Sequence, residues 1–292
     1  MNKTIKEALQ GASLTLKKAG ISHYNYESAL LLAFCLGKDL VHIYTYPEKH
    51  LTPSQEEKYK KLVEKRASRV PYHYLVGERE FMGLSFRVNP WVLIPRPDTE
   101  ILAQEALRWA REREEKPLYL LDLGTGSGIL AITLAFHLPH CQCWATDLSR
   151  EALQVAAENA ARHGVEGRIT FLQGDLWEAL EGERELQGQK FSLILSNPPY
   201  VPRDQLKELP REIRDHEPLE ALEGGPQGLD FYPRIISRAH RFLASPGLLL
   251  LEVGEGQGKK VREMSCQAGI FKDIYILKDY QGLERVVASL RA

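Results

Sequence analysis

The second half of the chain alternates short apolar runs with helical stretches, and this alternation constrains the fold most. The apolar runs are YLLDLG, CQCWATDL, RITFLQGD, KFSLILSN and GLLLLEVG. Such a pattern is typical of parallel strands that are buried on both faces and joined by right-handed crossovers. The last two runs, DIYILKD and RVVASL, are only five residues apart, which is too short for a helical crossover. We therefore expect the sheet to end in an antiparallel hairpin.

The first 71 residues show helical periodicity instead. Apolar residues recur at three-to-four spacing in TIKEALQGASLTLKKAG and YESALLLAFCLG, and Gly37 should end the second helix. Thr52-Pro53-Ser54 predicts the capped start of a third, long helix. Between residues 72 and 95, EFMGLSFRVN and WVLIP read as short strands. We predict a helical-bundle domain over 1–71, a β-hairpin linker over 72–95 and an α/β domain over 96–292.

Composition narrows the functional class. Of the 292 residues, 43% are hydrophobic, yet no apolar run approaches the roughly 18 residues that a membrane helix needs. The opening MNKTIKEALQ lacks the apolar centre of a secretory signal, so we expect a cytoplasmic protein. A net charge of −1 argues against nonspecific coating of nucleic acid. The four cysteines are scattered, so we expect buried reduced thiols and no bound metal.

A glycine-rich turn follows the first strand of the α/β domain. Gly124, Gly126 and Gly128 read G-x-G-x-G, whereas a dinucleotide fingerprint reads G-x-G-x-x-G and a phosphate loop needs Gly-Lys-Ser/Thr. Glycines at such a turn let the backbone approach a ligand closely. The spacing therefore indicates a nucleoside-type ligand without a pyrophosphate.

Acidic residues end the next two strands. Asp147 ends the second strand, where a carboxylate can accept hydrogen bonds from the two hydroxyls of a ribose; alternatively, it could only cap the following helix. Asp175 ends the third strand and could accept from an adenine amino group, with Leu176 or Trp177 covering the ring. A buried tryptophan is, however, more often a core residue.

These elements resemble the S-adenosylmethionine-dependent methyltransferases that have a seven-stranded Rossmann-like sheet. The resemblance covers about residues 96 to 292 and implies S-adenosyl-L-methionine as the cofactor rather than NAD. The cofactor-binding residues expected on this basis are Gly124, Thr125, Gly126, Ser127, Gly128, Asp147, Asp175, Leu176, Trp177 and Asn197.

The fourth strand delivers Asn197-Pro198-Pro199-Tyr200 to the same edge of the sheet. Each proline restricts the residue before it, so this segment is stiff. The side-chain oxygen of Asn197 and the carbonyl of Pro198 can accept both hydrogens of one NH2 group, and Tyr200 offers a flat face to a planar group. We predict that residues 197–200 are catalytic in methyl transfer to a planar nitrogen. A tight structural turn is the alternative.

The residues alone leave the nitrogen open among adenine N6, guanine N2 and glutamine N5. PYHYLVGEREFMGLSFRVNPWVLIPRPDTEIL, the NPPY motif and EPLEALEGGPQGLDFYPRII together resemble the bacterial release factor glutamine methyltransferases. That resemblance implies methylation of the glutamine in the Gly-Gly-Gln motif of class-1 peptide chain release factors, with the N-terminal domain docking the substrate. A glutamine of a ribosomal protein and a nucleic-acid base remain alternatives.

The family commonly has Pro-Arg-Pro-Glu-Thr-Glu where this chain has Asp98, which keeps the charge on a shorter side chain. Arg96 and Glu100 are predicted either to line the lid of the cofactor pocket or to pair with each other. The loop 201–228 should shape the substrate channel, with Glu217, Glu220 and Glu223 solvated. We expect a monomer that binds no nucleic acid stably and does not enter a membrane.

Overall fold

The computed structural model describes residues 2–113, 117–181 and 188–291. The chain forms two compact units. One consists of Met1–Glu78 together with Pro210–His216, and the other of Arg79–Leu209 together with Glu217–Ala292. The boundary falls at the start of the hairpin, within the segment 72–95 that was predicted to link two domains.

The first unit is helical. Its elements are α1 (Ile5–Lys18), α2 (Tyr24–Leu36), α3 (Leu40–Thr45), α4 (Pro53–Ala67), α5 (Tyr72–Val76) and the short α10 (Arg211–Arg214). The predicted helix signals are confirmed: Gly37 closes α2 in the left-handed conformation, and Thr52 forms a capping box at the start of α4. Buried residues such as Leu16, Leu31 and Ile43 form its core.

An ion cluster holds the distant segment 210–216 within this helical unit. The guanidinium of Arg66, almost fully buried, contacts Glu27 at 2.5 Å and Glu212 at 3.3 Å. Arg69 also pairs with Glu212, at 2.9 Å. Charges taken out of water need such partners, so this cluster ties a segment of the 201–228 loop to α4.

The second unit contains a hairpin and a seven-stranded sheet. The hairpin is β1 (Glu78–Phe81) with β2 (Leu84–Arg87). The sheet has the order β5-β4-β3-β6-β7-β9-β8. Its strands are β3 (Leu118–Leu123), β4 (Cys141–Asp147), β5 (Ile169–Gln173), β6 (Phe191–Ser196), β7 (Leu243–Glu252), β8 (Asp273–Lys278) and β9 (Glu284–Arg291). The helices of this unit are α6 (Thr99–Arg111), α7 (Ile129–His137), α8 (Arg150–Arg162), α9 (Glu178–Glu181), α11 (Phe231–Phe242) and α12 (Gly258–Gln267).

The sheet confirms the predicted α/β architecture. Strands β3 to β7 pair in parallel, whereas β9 runs antiparallel to both β7 and β8, as the short connection between the last two runs predicted. The predicted strand WVLIP is wrong, because residues 91–95 form neither strand nor helix. From β3 the chain winds outward to β5 on one side and, through β6, to β7 on the other. Such a reversal opens a crevice at the carboxyl ends of the strands.

The sequence predicted neither a membrane helix nor a bound metal. None of the helices in the described ranges combines the length and the apolar character that crossing a membrane requires. Within those same ranges, His, Cys, Asp and Glu form no group of three or more that could hold a metal ion. All four cysteines are free, and Cys266 is exposed rather than buried as expected.

Candidate active site

A cavity of about 420 Å³ lies in the second unit, at the carboxyl ends of β3 to β6. The register aligns these ends, because Leu123 of β3 pairs with both Thr146 of β4 and Ser196 of β6. Four of the segments singled out by their sequence contribute to its lining: 124–127, Asp147, 174–176 and 197–199. The size suits a small-molecule ligand.

The glycine turn forms one wall of the cavity. Gly124 and Gly126 have φ values of +75° and +56°, and a Cβ on either would point into open space. The amides of Gly124 and Thr125 donate to the carbonyl of Thr146 at 2.9 and 2.8 Å, which anchors the turn to β4. The backbone of this wall can therefore contact a ligand without an intervening side chain.

Gly128 serves a different purpose from the other two glycines. It does not line the cavity, and a Cβ there would come within 2.6 Å of Ile132 Cδ1 and 3.1 Å of Ala156 Cβ. Its φ of +84° also lies in the left-handed region. The predicted cofactor contact of Gly128 is thus replaced by close packing between α7 and α8.

Asp122 lies beneath the glycine turn and is buried. Its Oδ2 accepts from Thr125 Oγ1 at 2.7 Å and from the amide of Ala131 at 3.2 Å, whereas Oδ1 has no hydrogen-bond partner among the described residues. Burial raises the pKa of Asp122 to about 7, although both hydrogen bonds act in the opposite direction. Asp122 therefore holds the turn from below without reaching the cavity.

Asp147 lines the cavity at the end of β4. Its Oδ2 accepts from the amide of Gly126 at 2.8 Å, and its Oδ1 accepts from the amide of Ser149 at 2.9 Å. Ser149, not Asp147, caps α8, by accepting from the amide of Ala152. Burial raises the pKa of Asp147. The capping alternative is therefore wrong, and each carboxylate oxygen keeps a second lone pair for a ligand.

Of the three predicted adenine-contacting residues that follow β5, two line the cavity and one does not. Asp175 and Leu176 line the cavity. Trp177 does not: it stacks on Phe242 with ring centroids 4.8 Å apart, and its indole N–H donates to the carbonyl of Arg234. Leu176 has a φ of +52°, which is uncommon for a residue with a side chain. Strained residues of this kind cluster at functional sites, which agrees with the position of Leu176 in the cavity wall. Trp177 is accordingly a core residue.

The NPPY segment forms a second wall, which follows the strand next to β3. Asn197, Pro198 and Pro199 all line the cavity. The side-chain amide of Asn197 donates from Nδ2 to Thr99 Oγ1 at 3.3 Å. This contact engages the amide nitrogen, so the amide oxygen remains as the acceptor that a substrate N–H would use.

Tyr200 departs from the predicted arrangement. Its side chain is not part of the cavity lining, and its hydroxyl donates to Glu252 Oε1 at 3.4 Å. Burial raises the pKa of Tyr200 well above the usual range of a phenol, and the neighbouring Glu252 carboxylate acts in the same direction. The structure thus places Tyr200 behind the wall rather than across from a planar substrate group.

Residues 91–99 contribute to the cavity, in agreement with the alternative that places Arg96 at the cofactor pocket. Arg96 lines it and donates to Glu217 at 2.7 Å; Glu217 is buried and also accepts from the amide of Ile94. Burial raises the pKa of Glu217. Glu100 instead accepts from the amide of Met82. Arg96 therefore does not pair with Glu100, and the expectation that Glu217 is solvated is wrong.

The other two acidic residues of the 201–228 loop behave differently from each other. Glu220 lines the cavity, together with Pro218 and Ala221, whereas Glu223 pairs with Arg203 at 2.5 Å. The loop thus contributes to the mouth of the cavity, and the signal for this was its position after NPPY rather than its composition.

Two family models match the chain. One is described as the PrmC N-terminal domain and matches residues 7–77; the other is described as a methyltransferase domain and matches residues 120–216. Among solved structures, a methyltransferase from Pyrococcus furiosus superposes with a TM-score of 0.52 at 17% identity and covers 78% of this chain and 98% of its own. At that identity the likeness concerns the fold.

Full-length relatives are more informative. A release factor glutamine methyltransferase from Geobacter sulfurreducens is 40% identical over 286 residues, which is 98% of this chain and 96% of the relative. One from Moorella thermoacetica is 36% identical and covers 99% of both chains. Identity of this extent spans the helical unit, the glycine turn and the NPPY wall. The chain therefore belongs to the family of release factor glutamine methyltransferases.

Proposed function

We propose that this enzyme uses S-adenosyl-L-methionine to methylate N5 of the glutamine in the Gly-Gly-Gln motif of class-1 peptide chain release factors. One observation carries the proposal: Asn197, Pro198 and Pro199 line the same cavity as the glycine turn. A stiff pair of acceptors thus lines the same cavity as a wall suited to a nucleoside. Relatives named release factor glutamine methyltransferase support the choice of a glutamine amide as the acceptor.

The glycine wall fits the cofactor. A Cβ on Gly124 or Gly126 would project into otherwise open space, so both positions leave room that a side chain would fill. Asp147 keeps lone pairs for a pair of ribose hydroxyls, and Asp175 and Leu176 border the space for the adenine. When bound, S-adenosylmethionine supplies a methyl group activated by its positively charged sulfur.

Asp175 also has a charged protein partner. Arg234 donates to its Oδ2 at 2.6 Å, and both side chains are partly exposed. A carboxylate can accept several hydrogen bonds, so this pair fixes the orientation of Asp175 while Oδ1 is used for an amino group. Exposed pairs of this kind contribute little to stability, and their removal is tolerated by the fold.

The NPPY wall addresses the poor nucleophilicity of an amide. The nitrogen lone pair is delocalised, as the barrier of about 18–20 kcal/mol to rotation about an amide bond shows. Asn197 Oδ1 and the Pro198 carbonyl accept the two amide hydrogens, which increases the charge on nitrogen and aims its remaining face at the methyl group. The prolines fix both acceptors before substrate binds, so little ordering is required during the reaction.

No side chain has to act as a strong base in this scheme. Once the methyl group has moved from sulfur to nitrogen, the nitrogen becomes acidic enough to lose a proton to water. Each acceptor contributes about 1–3 kcal/mol in a site sheltered from water, and alignment of the reacting atoms contributes more. Because the segment supplies only hydrogen-bond acceptors and alignment, it needs neither Asp, His nor Cys.

The helical unit completes the proposal. We assign to residues 1–71 the docking of the release factor, which would place its glutamine in the cavity of the second unit. Residues 1 to 80 carry 13 Lys and Arg against 9 Asp and Glu, a mild excess that suits an acidic protein partner. A monomeric enzyme that acts in the cytoplasm without a stable nucleic-acid partner belongs to the same proposal.

Mass spectrometry of a treated substrate tests this function. The chain is incubated with S-adenosylmethionine and, separately, with a class-1 release factor, the same factor with asparagine in place of the motif glutamine, ribosomal proteins, DNA and RNA. We expect one methyl group on the glutamine of the unaltered release factor only. Methylation of a ribosomal protein or a nucleic acid in preference to the release factor would contradict the proposal.

A further inference from the structure

A buried carboxyl group lies directly behind the NPPY wall. Glu252 ends β7 and is 1% exposed. Its Oε1 accepts from the hydroxyl of Tyr200, and its Oε2 has no hydrogen-bond partner in the part of the chain that the structure describes. A buried carboxyl group with an unpaired oxygen is costly, and an apolar residue of similar size would fit the core better. The position therefore calls for an explanation other than stability.

Thr99 contacts Asn197 and acts on this carboxyl group. The Thr99 side chain is fully buried, and its hydroxyl accepts from Asn197 Nδ2 at 3.3 Å. The Thr99 hydroxyl also acts to lower the pKa of the Glu252 carboxyl group. The Glu252 carboxyl group thus accepts from Tyr200, which follows β6, and is acted on by Thr99 at the start of α6.

Charged groups surround the carboxyl group from other elements. Arg285 of β9 acts to lower its pKa and is itself paired with Asp98 at 3.0 Å and with Asp279 at 2.8 Å. Asp98 acts to raise it. Burial is the largest effect and raises the pKa of Glu252 to about 7.

Two uncharged groups fix the backbone nearby. Tyr232 of α11 donates to the carbonyl of Glu252 at 3.1 Å and to Gln257 Oε1 at the same distance. Gln257 Nε2 then donates to the carbonyl of Tyr200 at 2.9 Å. The end of β7 and the end of the NPPY segment are therefore held together by a second, independent set of hydrogen bonds.

We propose that Glu252 is a positioning residue for methyl transfer: by accepting from Tyr200 and by orienting the Thr99 hydroxyl that receives the Asn197 amide, it fixes both ends of segment 197–200 and keeps the amide oxygen of Asn197 directed at the substrate. This inference rests on the function proposed above. It explains why Tyr200 turns away from the cavity. It also gives Thr99 a definite role, because a hydroxyl whose proton is oriented by Glu252 has its lone pairs left to receive the Asn197 amide.

Replacement of Glu252 by leucine tests the proposal. We expect Glu252→Leu to lower kcat for methylation of the release factor about 100-fold, since small misplacements of orienting groups have effects of this size. The dissociation constant for S-adenosylhomocysteine, measured by calorimetry, and the temperature of thermal unfolding should stay near those of the wild type. Glu252→Gln retains an acceptor oxygen of the same reach, so its kcat should recover to within about tenfold of the wild type.

Glu105 provides a matched control. It is a second buried glutamate of the same unit, its Oε1 accepts from the Tyr275 hydroxyl at 2.6 Å, and it lies outside the cavity lining. Glu105→Leu should therefore leave kcat unchanged even where it lowers the unfolding temperature. Thr99→Val combined with Glu252→Leu should lose little more activity than the more impaired single variant, because both disrupt one hydrogen-bonded chain.

The outcomes separate this inference from the function on which it rests. A wild-type chain that does not methylate the release factor would remove both. If the wild type is active, a Glu252→Leu variant that keeps kcat within about threefold would overturn the positioning role. A loss of kcat that merely follows a lower folded fraction, or an equal weakening of cofactor binding, would overturn it as well.

Discussion

The two walls of the cavity are built in different ways. The glycine wall, residues 124–127 with Asp147, is mostly backbone, and its hydrogen bonds join segments that are close in the sheet. The NPPY wall, residues 197–199, depends on the side chain of the adjacent Tyr200 and on Thr99 and Glu252 from distant parts of the chain. A bound cofactor needs space and fixed amides, whereas an amide nucleophile needs acceptors held at fixed positions. The difference between the walls follows the difference between the two ligands.

The largest effect should come from the NPPY wall. Asn197→Ala removes the side-chain acceptor and should lower kcat about 10²- to 10³-fold, the range seen when one preorganised hydrogen-bonding group is removed from an active site. Cofactor affinity should remain within about tenfold, because the glycine wall is untouched. Single-turnover kinetics and calorimetry with S-adenosylhomocysteine measure the two quantities. Turnover comparable with that of the wild type would contradict the role of Asn197.

The glycine wall should show the reverse pattern. Asp147→Ala removes the carboxylate that orients the turn and offers acceptors to the ribose, so cofactor affinity should fall about 10- to 100-fold, as expected for lost hydrogen bonds to a charged group. At saturating cofactor, kcat should change much less. Asp175→Asn, in which the partly exposed pair with Arg234 is weakened, is the milder comparison. Unchanged cofactor affinity in Asp147→Ala would refute the ribose assignment.

Two glycines of the same turn can be compared, because Gly126 lines the cavity whereas Gly128 allows close packing of two helices. Gly128→Ala would place a Cβ 2.6 Å from Ile132 Cδ1, so we expect a loss of about 1–3 kcal/mol in the free energy of unfolding. Gly126→Ala meets no protein atom within 4 Å, so apart from the backbone strain that its φ of +56° shares with Gly128→Ala, its main effect should be weaker cofactor binding. Chemical denaturation measures the stability of both variants, and calorimetry measures their cofactor affinity. Equal stability of the two would count against the packing role of Gly128.

The last prediction concerns pH. Burial raises the pKa of Asp122 from 3.8 to about 7, so the folded chain binds a proton that the unfolded chain releases between those values. The contribution of Asp122 to stability is therefore fully present below about pH 4 and is lost as pH rises through about 7, with a slope of at most about 1.4 kcal/mol per pH unit.

Asp122→Asn removes this titration. The free energy of unfolding of the variant, measured relative to the wild type in urea, should therefore rise between pH 4 and 7 and level off above that. Glu105→Gln is the control, because hydrogen bonds from Arg108 and Tyr275 lower the pKa of Glu105 instead. A difference between Asp122→Asn and the wild type that does not vary with pH would show that Asp122 titrates normally.

Features that depend on residues close together in the sequence were predicted, whereas features that depend on residues far apart in the sequence were not. The parallel sheet, its antiparallel end, the glycine turn and the capped start at Thr52 all follow from local patterns, and each is confirmed. The strand predicted at 91–95 is wrong, because its apolar residues face a cavity rather than a neighbouring strand. Composition and periodicity do not distinguish these two ways of burying a side chain.

The long-range network was beyond prediction for the same reason. Glu217 lies in a loop rich in Pro, Glu and Gly, yet it is buried against Arg96, which is 121 residues away in the chain. Trp177 packs on Phe242 of α11, and Tyr200 turns to Glu252. Each of these partners is set by the folded arrangement of separate elements. In a single sequence, nothing marks one glutamate or one aromatic residue as the partner of another.

The central claim is that Asn197 Oδ1 and the Pro198 carbonyl accept both hydrogens of the substrate amide. A crystal structure of the chain with S-adenosylhomocysteine and a release factor tests this most directly. We predict that the glutamine nitrogen lies about 2.7–3.2 Å from each acceptor, with its free face towards the sulfur. A glutamine held by other groups, or with its nitrogen turned away from the sulfur, would contradict the account.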